Sequence, residues 1–223
     1  AFPSPGKKDD KKEKSTVQKS SLSGLKFRSI GPSLTAGRIA DIAVNPNNTS
    51  EYYLAFASGG VWKTSNSGNT YHPVFDGQSS YSIGCIAIYP SNENVIWVGT
   101  GENNNQRSVA YGDGVYRSLD GGKSWKNMGL KNSEHIGMIV IDPSNSNHVF
   151  VAAYGPLWSK GGERGLYETT DGGKTWKLSI KVDEHTGINE VHIDHTNSDI
   201  MYATAHQRRR HVFTYVGGGP GSR

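Results

Sequence analysis

A twelve-residue stretch that the chain repeats constrains the fold more than any other feature. Residues 165–176 read Gly-Leu-Tyr-Glu-Thr-Thr-Asp-Gly-Gly-Lys-Thr-Trp, residues 114–125 are closely similar, and residues 60–71 are a more divergent copy. Equivalent positions recur at intervals of 54 and 51 residues. A fixed period of this size indicates repeated supersecondary units that pack side by side.

Each copy has the composition of a β-hairpin. Strand-forming residues stand at both ends, and Asp-Gly-Gly-Lys between them is a turn sequence, because Asp bonds nearby backbone N–H groups and Gly tolerates positive φ. The Trp at the end is expected to pack between neighbouring units. Taken singly, Asp120 and Asp171 are candidate catalytic acids. Their repetition favours a structural role, since a catalytic group is needed once and a turn device once per unit.

The pattern Ser/Thr-x-Asp-x-Gly-x-Ser/Thr-Trp resembles the Asp-box, or bacterial neuraminidase repeat. The first copy departs from it at Asn66 and Tyr71, and two copies match in full, through Ser118, Asp120, Gly122, Trp125, Thr169, Asp171, Gly173 and Trp176. The resemblance implies an all-β fold, a β-propeller of four-stranded antiparallel blades with one box between the third and fourth strands. Sialidases, xyloglucanases, sortilin-type receptors and non-enzymatic assembly factors share the motif, so it indicates the fold and not the activity.

A second repeated signature indicates how many blades the chain contains. Four apolar segments, each followed by a turn rich in Asn, Ser and Pro and by a second apolar segment, begin at Arg38, Ser82, His135 and Gly187. The sequence therefore predicts blades at about 25–76, 77–130 and 131–182, and an incomplete one at 183–223. Because a closed propeller has roughly 4–8 blades, we expect an N-terminal part of a longer propeller, completed by the same or another chain.

Charge and composition exclude several classes. Residues 1–24 carry six Lys against three acidic residues and are expected to form a disordered basic tail, whereas the remainder is nearly neutral. The pI near 9.0 is therefore a property of the tail and does not predict nucleic-acid binding. No apolar run is long enough for a transmembrane segment. A single cysteine, Cys85, excludes an intrachain disulfide framework.

Candidate binding residues concentrate in the loops on one face. In a propeller the loops between strands two and three, and those between blades, share the face opposite the Asp-boxes. These loops vary in length while the scaffold stays regular, which favours recognition, although long polar loops can also be simply solvated. We expect neither metal nor cofactor, because the histidines are scattered. The candidate binding residues are Glu102, Arg107, Trp158, Lys160, Arg164, His206 and Arg208.

Two enzyme classes depend on specific residues of this sequence. A sialidase-like Phe-Arg-Ile-Pro motif is interrupted at Ser29 and Gly31. A xyloglucanase-like enzyme has an aspartate where Ala57 stands, and nothing singles out Asp41, Glu102 or Asp183 as its replacement. The resemblance is closest to large secreted proteins of the sortilin-like, glycosidase-related repeat class.

That resemblance implies a non-catalytic propeller that recognises a protein or a glycan outside the cytoplasm, within a larger secreted or cell-surface protein or assembly. The alternative is a glycoside hydrolase whose catalytic carboxylates lie partly outside this chain.

Overall fold

The computed structural model describes residues 37–194, 197 and 199–223. These residues form an all-β structure of four antiparallel sheets, with one short 3₁₀ turn at Lys131–Ser133. The expected tail at 1–24 and the interrupted motif at 27–32 lie outside the described residues.

Four sheets follow one another along the chain, and each is a blade. Blade 1 contains β1 (Ile39–Val44), β2 (Tyr52–Phe56), β3 (Gly60–Thr64) and β4 (His72–Pro73). Blade 2 contains β5 (Ile83–Ile88), β6 (Ile96–Thr100), β7 (Val115–Ser118) and β8 (Lys126–Gly129). Blade 3 contains β9 (Ile136–Asp142), β10 (Asn145–Ala153), β11 (Gly165–Thr169) and β12 (Lys177–Ile180). Blade 4 contains β13 (Thr186–Ile193), β14 (Met201–Arg210) and β15 (Tyr215–Gly217).

The blades are arranged around an axis. Strands within each blade pair in chain order, and the first strands β1, β5, β9 and β13 contact one another in succession. Each interface between blades has its own apolar cluster, centred on Tyr53 and Ile96, on Trp97 and Ile136, and on Leu166 and Ile188. The predicted partial propeller is confirmed.

The Asp-box residues close the turns between third and fourth strands. In blade 3, Thr169 Oγ1 donates to Asp171 Oδ1 at 2.8 Å and accepts from the Gly173 N–H at 2.9 Å, and the Thr175 N–H donates to Asp171 Oδ1 at 3.0 Å. The hydrogen bonds from Thr175 hold the pKa of Asp171 well below its usual range. In the divergent copy, Asn66 Oδ1 accepts from the Thr70 N–H at 3.0 Å. The amide thus forms the same turn as the carboxylate.

The tryptophans of the two complete boxes bond to the preceding blade. Trp125 Nε1 donates to the Val74 carbonyl and Trp176 Nε1 to the Met128 carbonyl, both at 2.7 Å. The expected packing of this residue between units is therefore observed.

One expectation about the loops is wrong. The residues from His206 to Arg210, expected in a loop of blade 4, belong to β14. They are extended because β15 folds back on them, with Arg208 opposite Gly217 and Arg210 opposite Tyr215. No helix among the described residues is long and apolar enough to cross a membrane.

Candidate ligand-binding site

A β-bulge recurs at the same point in the first strand of every blade. The register shifts between Ile39 and Asp41 in β1 and at the matching places in β5, β9 and β13. A bulge adds one residue and re-aims the side chains beside it. The side chains that follow the bulges are Asp41, Cys85, Met138 and Glu190, and all four line one cavity.

This axial cavity has a volume of about 450 Å³. Residues from all four blades contribute to it: Arg38, Ile39, Ala40, Asp41, Ala57, Gly84, Cys85, Glu102, Asn103, Asn104, Gly137, Met138, Glu190 and His192. Its size suits one side chain or one sugar ring, and its wall combines carboxylates with two sulfur-containing side chains.

Glu102 is the most enclosed carboxylate of the cavity wall. Its side chain is 5% exposed, whereas that of its ion-pair partner Arg38 is 58% exposed. Arg38 Nη2 and Asn104 Nδ2 both contact Oε1 of Glu102, so Oε2 takes part in neither contact. The backbone N–H of Glu102 is fixed by Ser82 Oγ at 2.9 Å. The carboxylate is therefore built into the scaffold, and its cationic partner reaches it from a surface position.

Two further acceptors belong to the cavity. Asp41 Oδ2 accepts the Ile86 N–H at 2.9 Å, which ties blade 1 to blade 2, and burial raises the pKa of Asp41. Asn103 Oδ1 is buried and has no hydrogen-bond partner among the described residues. An unpaired buried acceptor costs free energy that a ligand N–H would recover.

The loop that carries Glu102 is braced by blade 4. Arg208 is fully buried and its Nη1 donates to the Asn104 carbonyl at 2.8 Å and to Asn105 Oδ1 at 3.3 Å. Arg210 Nε donates to the Asn105 carbonyl at 2.8 Å. Burial lowers the pKa of Arg208 to about 10. These bonds fix the loop over the cavity from more than 100 residues away in sequence.

Blade 3 has a brace of its own. Arg164 is 2% exposed and donates to the carbonyl oxygens of its loop, including Tyr154 at 2.9 Å and Ser159 at 2.7 Å. Beneath these loops, His135 is fully buried, and neither ring nitrogen has a hydrogen-bond partner among the described residues. Burial, together with the charges of Arg208 and Arg164, lowers the pKa of His135 to about 3. The ring is therefore neutral near pH 7.

The structure separates the predicted binding residues into three groups. Glu102 lines the axial cavity. Arg164, Arg208 and the half-buried His206, which contacts Tyr154 Oη, support the loops from within. The surface residues are Arg107, Trp158 and Lys160, of which Lys160 pairs with Glu184 at 3.1 Å.

Sequence reasoning missed most of the cavity wall. Asp41, Asn103, Asn104 and Glu190 were not among the candidate binding residues, and Asp41 was considered only as a catalytic carboxylate, yet all four line the cavity with Glu102. Aligning the first strands of the four blades would have found Asp41 and Glu190, because they occupy equivalent positions after the bulge. Among the described residues, no three His, Cys, Asp or Glu side chains are grouped as metal ligands.

Comparisons with known proteins agree with the fold. The family model Sortilin-Vps10, described as "Sortilin, neurotensin receptor 3", matches residues 113–217. A probable oligoxyloglucan-reducing end-specific xyloglucanase from Neosartorya fischeri is 31% identical over 97 residues, which are 41% of this chain and 10% of that protein. The sequence relationship thus covers only part of the chain.

Solved structures extend the likeness in fold. An ancestral GH74 enzyme superposes with a TM-score of 0.58 at 20% identity, over 88% of this chain and 25% of that one. The GH74 xyloglucanase of Xanthomonas campestris gives 0.54 at 18% identity, over 82% and 29%. YCF48 bound to D1 peptide gives 0.50 at 14% identity, over 84% and 52%. The chain spans a tenth of the curated relative and about a quarter of these GH74 enzymes.

Proposed function

Because the chain is an Asp-box β-propeller related to the sortilin-type repeat proteins, we propose that it is a non-catalytic recognition module that binds a protein or a glycan on its loop face. The observation that carries the proposal is the axial cavity, which residues of four blades line, among them Glu102, Asn103 and Asn104 of the loop that follows β6. A preformed concave site with a few fixed polar groups is typical of ligand binding.

The bracing of the loops supports this role. Arg164 and Arg208 are buried and both donate to carbonyl oxygens of the loops, Arg164 through Nη1 and Nη2 and Arg208 through Nη1. Such internal ties reduce the conformational entropy that a loop loses when it binds a ligand. Trp158, 36% exposed, stands in the loop that Arg164 organises and offers a rigid aromatic contact. Arg107 and Lys160 add charge on the same face.

A glycoside hydrolase is the second candidate, favoured by the 31% identity to the xyloglucanase over 97 residues. Glycosidases of this kind use two carboxylates on opposite sides of the bond that they cleave. Against this role, Ala57 stands where the related enzymes are expected to carry an acid, and the repeated Asp120 and Asp171 are used in turns. A glycoside hydrolase activity therefore requires catalytic carboxylates from further blades.

We place the protein outside the cytoplasm, as part of a larger secreted or cell-surface protein or assembly. The relationship to sortilin-type proteins supports this placement. The partial propeller also requires neighbouring blades to close the ring, and these come from the same polypeptide or from another subunit.

Binding arrays on the purified protein test the recognition role. The chain is screened against immobilised glycans and against a displayed library of short peptides. Trp158→Ala and Lys160→Ala on the loop face are expected to weaken the selected interaction at least fivefold. The matched controls Leu119→Ala and Lys174→Ala change similar exposed residues at Asp-box turns and are expected to bind normally. Equal loss in all four variants would contradict a loop-face site.

Reducing-sugar release from xyloglucan and related polysaccharides tests the alternative. The recognition role predicts no release. Turnover that disappears in one carboxylate variant, with folding unchanged, would establish the hydrolase instead.

A further inference from the structure

We propose that the axial cavity binds the guanidinium group of an arginine side chain presented by a partner protein, with Glu102 as its principal carboxylate. The inference rests on the proposed recognition role and narrows it to a ligand class. It follows from the charges, the buried acceptors and the shape of the cavity wall.

The charge of the wall favours a cation. Three carboxylates line the cavity, from Asp41, Glu102 and Glu190, and Arg38 is the one permanently charged cation among the lining residues. A concave site with one sign of charge concentrates ligands of the opposite sign. A carboxylate as enclosed as Glu102 also requires a charged partner, because an ionised group that is buried alone strongly destabilises the fold.

Arg38 shows which partner the carboxylate accepts. Its guanidinium contacts Oε1 of Glu102 while most of its side chain is exposed, 58% against 5% for Glu102. A mostly exposed arginine is held by little packing and can leave. Its guanidinium therefore occupies the position that a ligand guanidinium would take. Its departure would leave Oε1 with the Asn104 contact alone, so that Oε1 and Oε2 together could accept a two-bond contact from the ligand.

The remaining features fit an arginine better than a lysine or a neutral sugar. Asn103 lines the cavity, and its Oδ1 is buried without a partner among the described residues, so this residue offers an acceptor for a further N–H of the ligand. A guanidinium carries five N–H donors in one plane and can serve several acceptors at once. Cys85 and Met138 belong to the apolar part of the wall, together with Ile39, Ala40 and Ala57, and the methylene groups of an arginine can pack there.

Calorimetry with capped amino acids tests the ligand class. The probes are N-acetyl-arginine amide, N-acetyl-lysine amide and N-acetyl-citrulline amide, which keeps the arginine shape without its charge. Wild-type protein is expected to bind the arginine probe at least tenfold more tightly than the citrulline probe. Arg38→Ala is expected to tighten arginine binding several-fold, because it removes the internal competitor. Equal affinity for the arginine and citrulline probes would overturn the proposal.

Carboxylate variants locate the site. Glu102→Gln is expected to weaken arginine binding at least tenfold, and Glu190→Gln, which changes an exposed side chain, several-fold. Glu184→Gln is the matched control, since this carboxylate lies on the loop face but does not line the cavity. If Glu102→Gln fails to fold, Glu190→Gln and Arg38→Ala still decide the matter. Unchanged affinity in both would refute the assignment.

Two comparisons complete the test. The first distinguishes a partner protein from a free amino acid as the source of the arginine, and the second distinguishes failure of this inference from failure of the recognition role. A peptide with an internal arginine is expected to bind more tightly than free L-arginine, whose own carboxylate the acidic wall repels. The reverse order would indicate a small-molecule ligand and overturn the protein partner. If the arrays select a loop-face ligand while every arginine probe fails, the recognition role stands and this inference falls. If nothing binds in either experiment, both fail.

Discussion

The guanidinium carbon of Arg208 lies 3.4 Å from the centroid of the Tyr154 ring, so a strand of blade 4 is stacked on the loop of blade 3. The same guanidinium donates to the Asn104 carbonyl in the loop of blade 2. One buried side chain therefore connects three blades beside the axial cavity. Its Nε and Nη2 have no hydrogen-bond partner among the described residues, so stacking and the Nη1 bonds account for its position.

Replacing Arg208 with lysine is expected to loosen the loop over the cavity. An ammonium group cannot stack flat on Tyr154 and reach both Asn104 and Asn105. We expect the free energy of unfolding to fall by about 2 kcal/mol. Amide hydrogen exchange should become faster between residues 102 and 111. Arg209→Lys, one residue along the same strand, is the control, and equal acceleration there would contradict a specific brace.

The two complete Asp-boxes are expected to lose their stabilising effect in acid. Hydrogen bonds from Ser124 lower the pKa of Asp120 to about 2, and those from Thr175 lower the pKa of Asp171 further. A carboxylate with a depressed folded-state pKa stabilises the fold above its unfolded pKa of about 3.9 and loses this effect as the pH falls through the folded value. Stability should therefore decrease between pH 4 and pH 2.

Asparagine substitutions test this assignment, because Asn66 already forms the same turn in blade 1. Asp120→Asn and Asp171→Asn should fold, should be more stable at pH 7 than the alanine variants, and should show a flatter pH dependence below pH 4. Urea unfolding from pH 2 to pH 7 measures both effects. An unchanged acid slope in the double asparagine variant would show that other groups cause it.

The fold could be predicted because its determinants are local and repeated. The Asp-box acts within one turn, through Asp171 and Gly173, or against the adjacent blade, through Trp176. Because the motif is repeated, its structural role can be inferred from the sequence. The site could not be predicted in the same way. Arg208 meets Asn104 across two blade interfaces, and no local pattern encodes that contact. The strand that contains His206 and Arg208 could not be predicted either, because the pairing of β14 with β15 depends on a turn with no strong sequence signal.

The Asp-box tryptophans are expected to contribute equally to the interfaces between blades. Trp125 and Trp176 each donate one hydrogen bond of 2.7 Å to a carbonyl of the preceding blade. Phenylalanine keeps much of the apolar area and removes the N–H, so each substitution should cost about 1 kcal/mol of unfolding free energy. Trp158→Phe, on the loop face, should leave stability unchanged. Denaturant unfolding of the three variants checks this, and a loss at Trp158 as large as the others would contradict it.

His135 is expected to make the protein less stable as the pH falls from about 6.5. Burial lowers its folded-state pKa to about 3, whereas the unfolded chain takes up the proton near pH 6.5. The unfolded state therefore binds more protons between these values, and stability decreases on acidification. Between pH 6.5 and pH 4.5 the loss is expected to be about 2 to 3 kcal/mol, at about 1.4 kcal/mol for each pH unit.

The variant His135→Phe separates the contribution of His135 to the pH dependence of stability from the contributions of neighbouring titratable groups. Burial raises the pKa of the adjacent Glu134, and a raised carboxylate pKa acts in the opposite direction, since it favours the folded state as the pH falls. Glu134 is present in both proteins, so the difference between their pH profiles reports the histidine. Unfolding free energies measured in urea from pH 4.5 to pH 7.5 should show a flatter profile for His135→Phe and an unchanged one for the exposed control His72→Gln. Parallel profiles for wild type and His135→Phe would mean that the buried imidazole does not cause the loss of stability between pH 6.5 and pH 4.5.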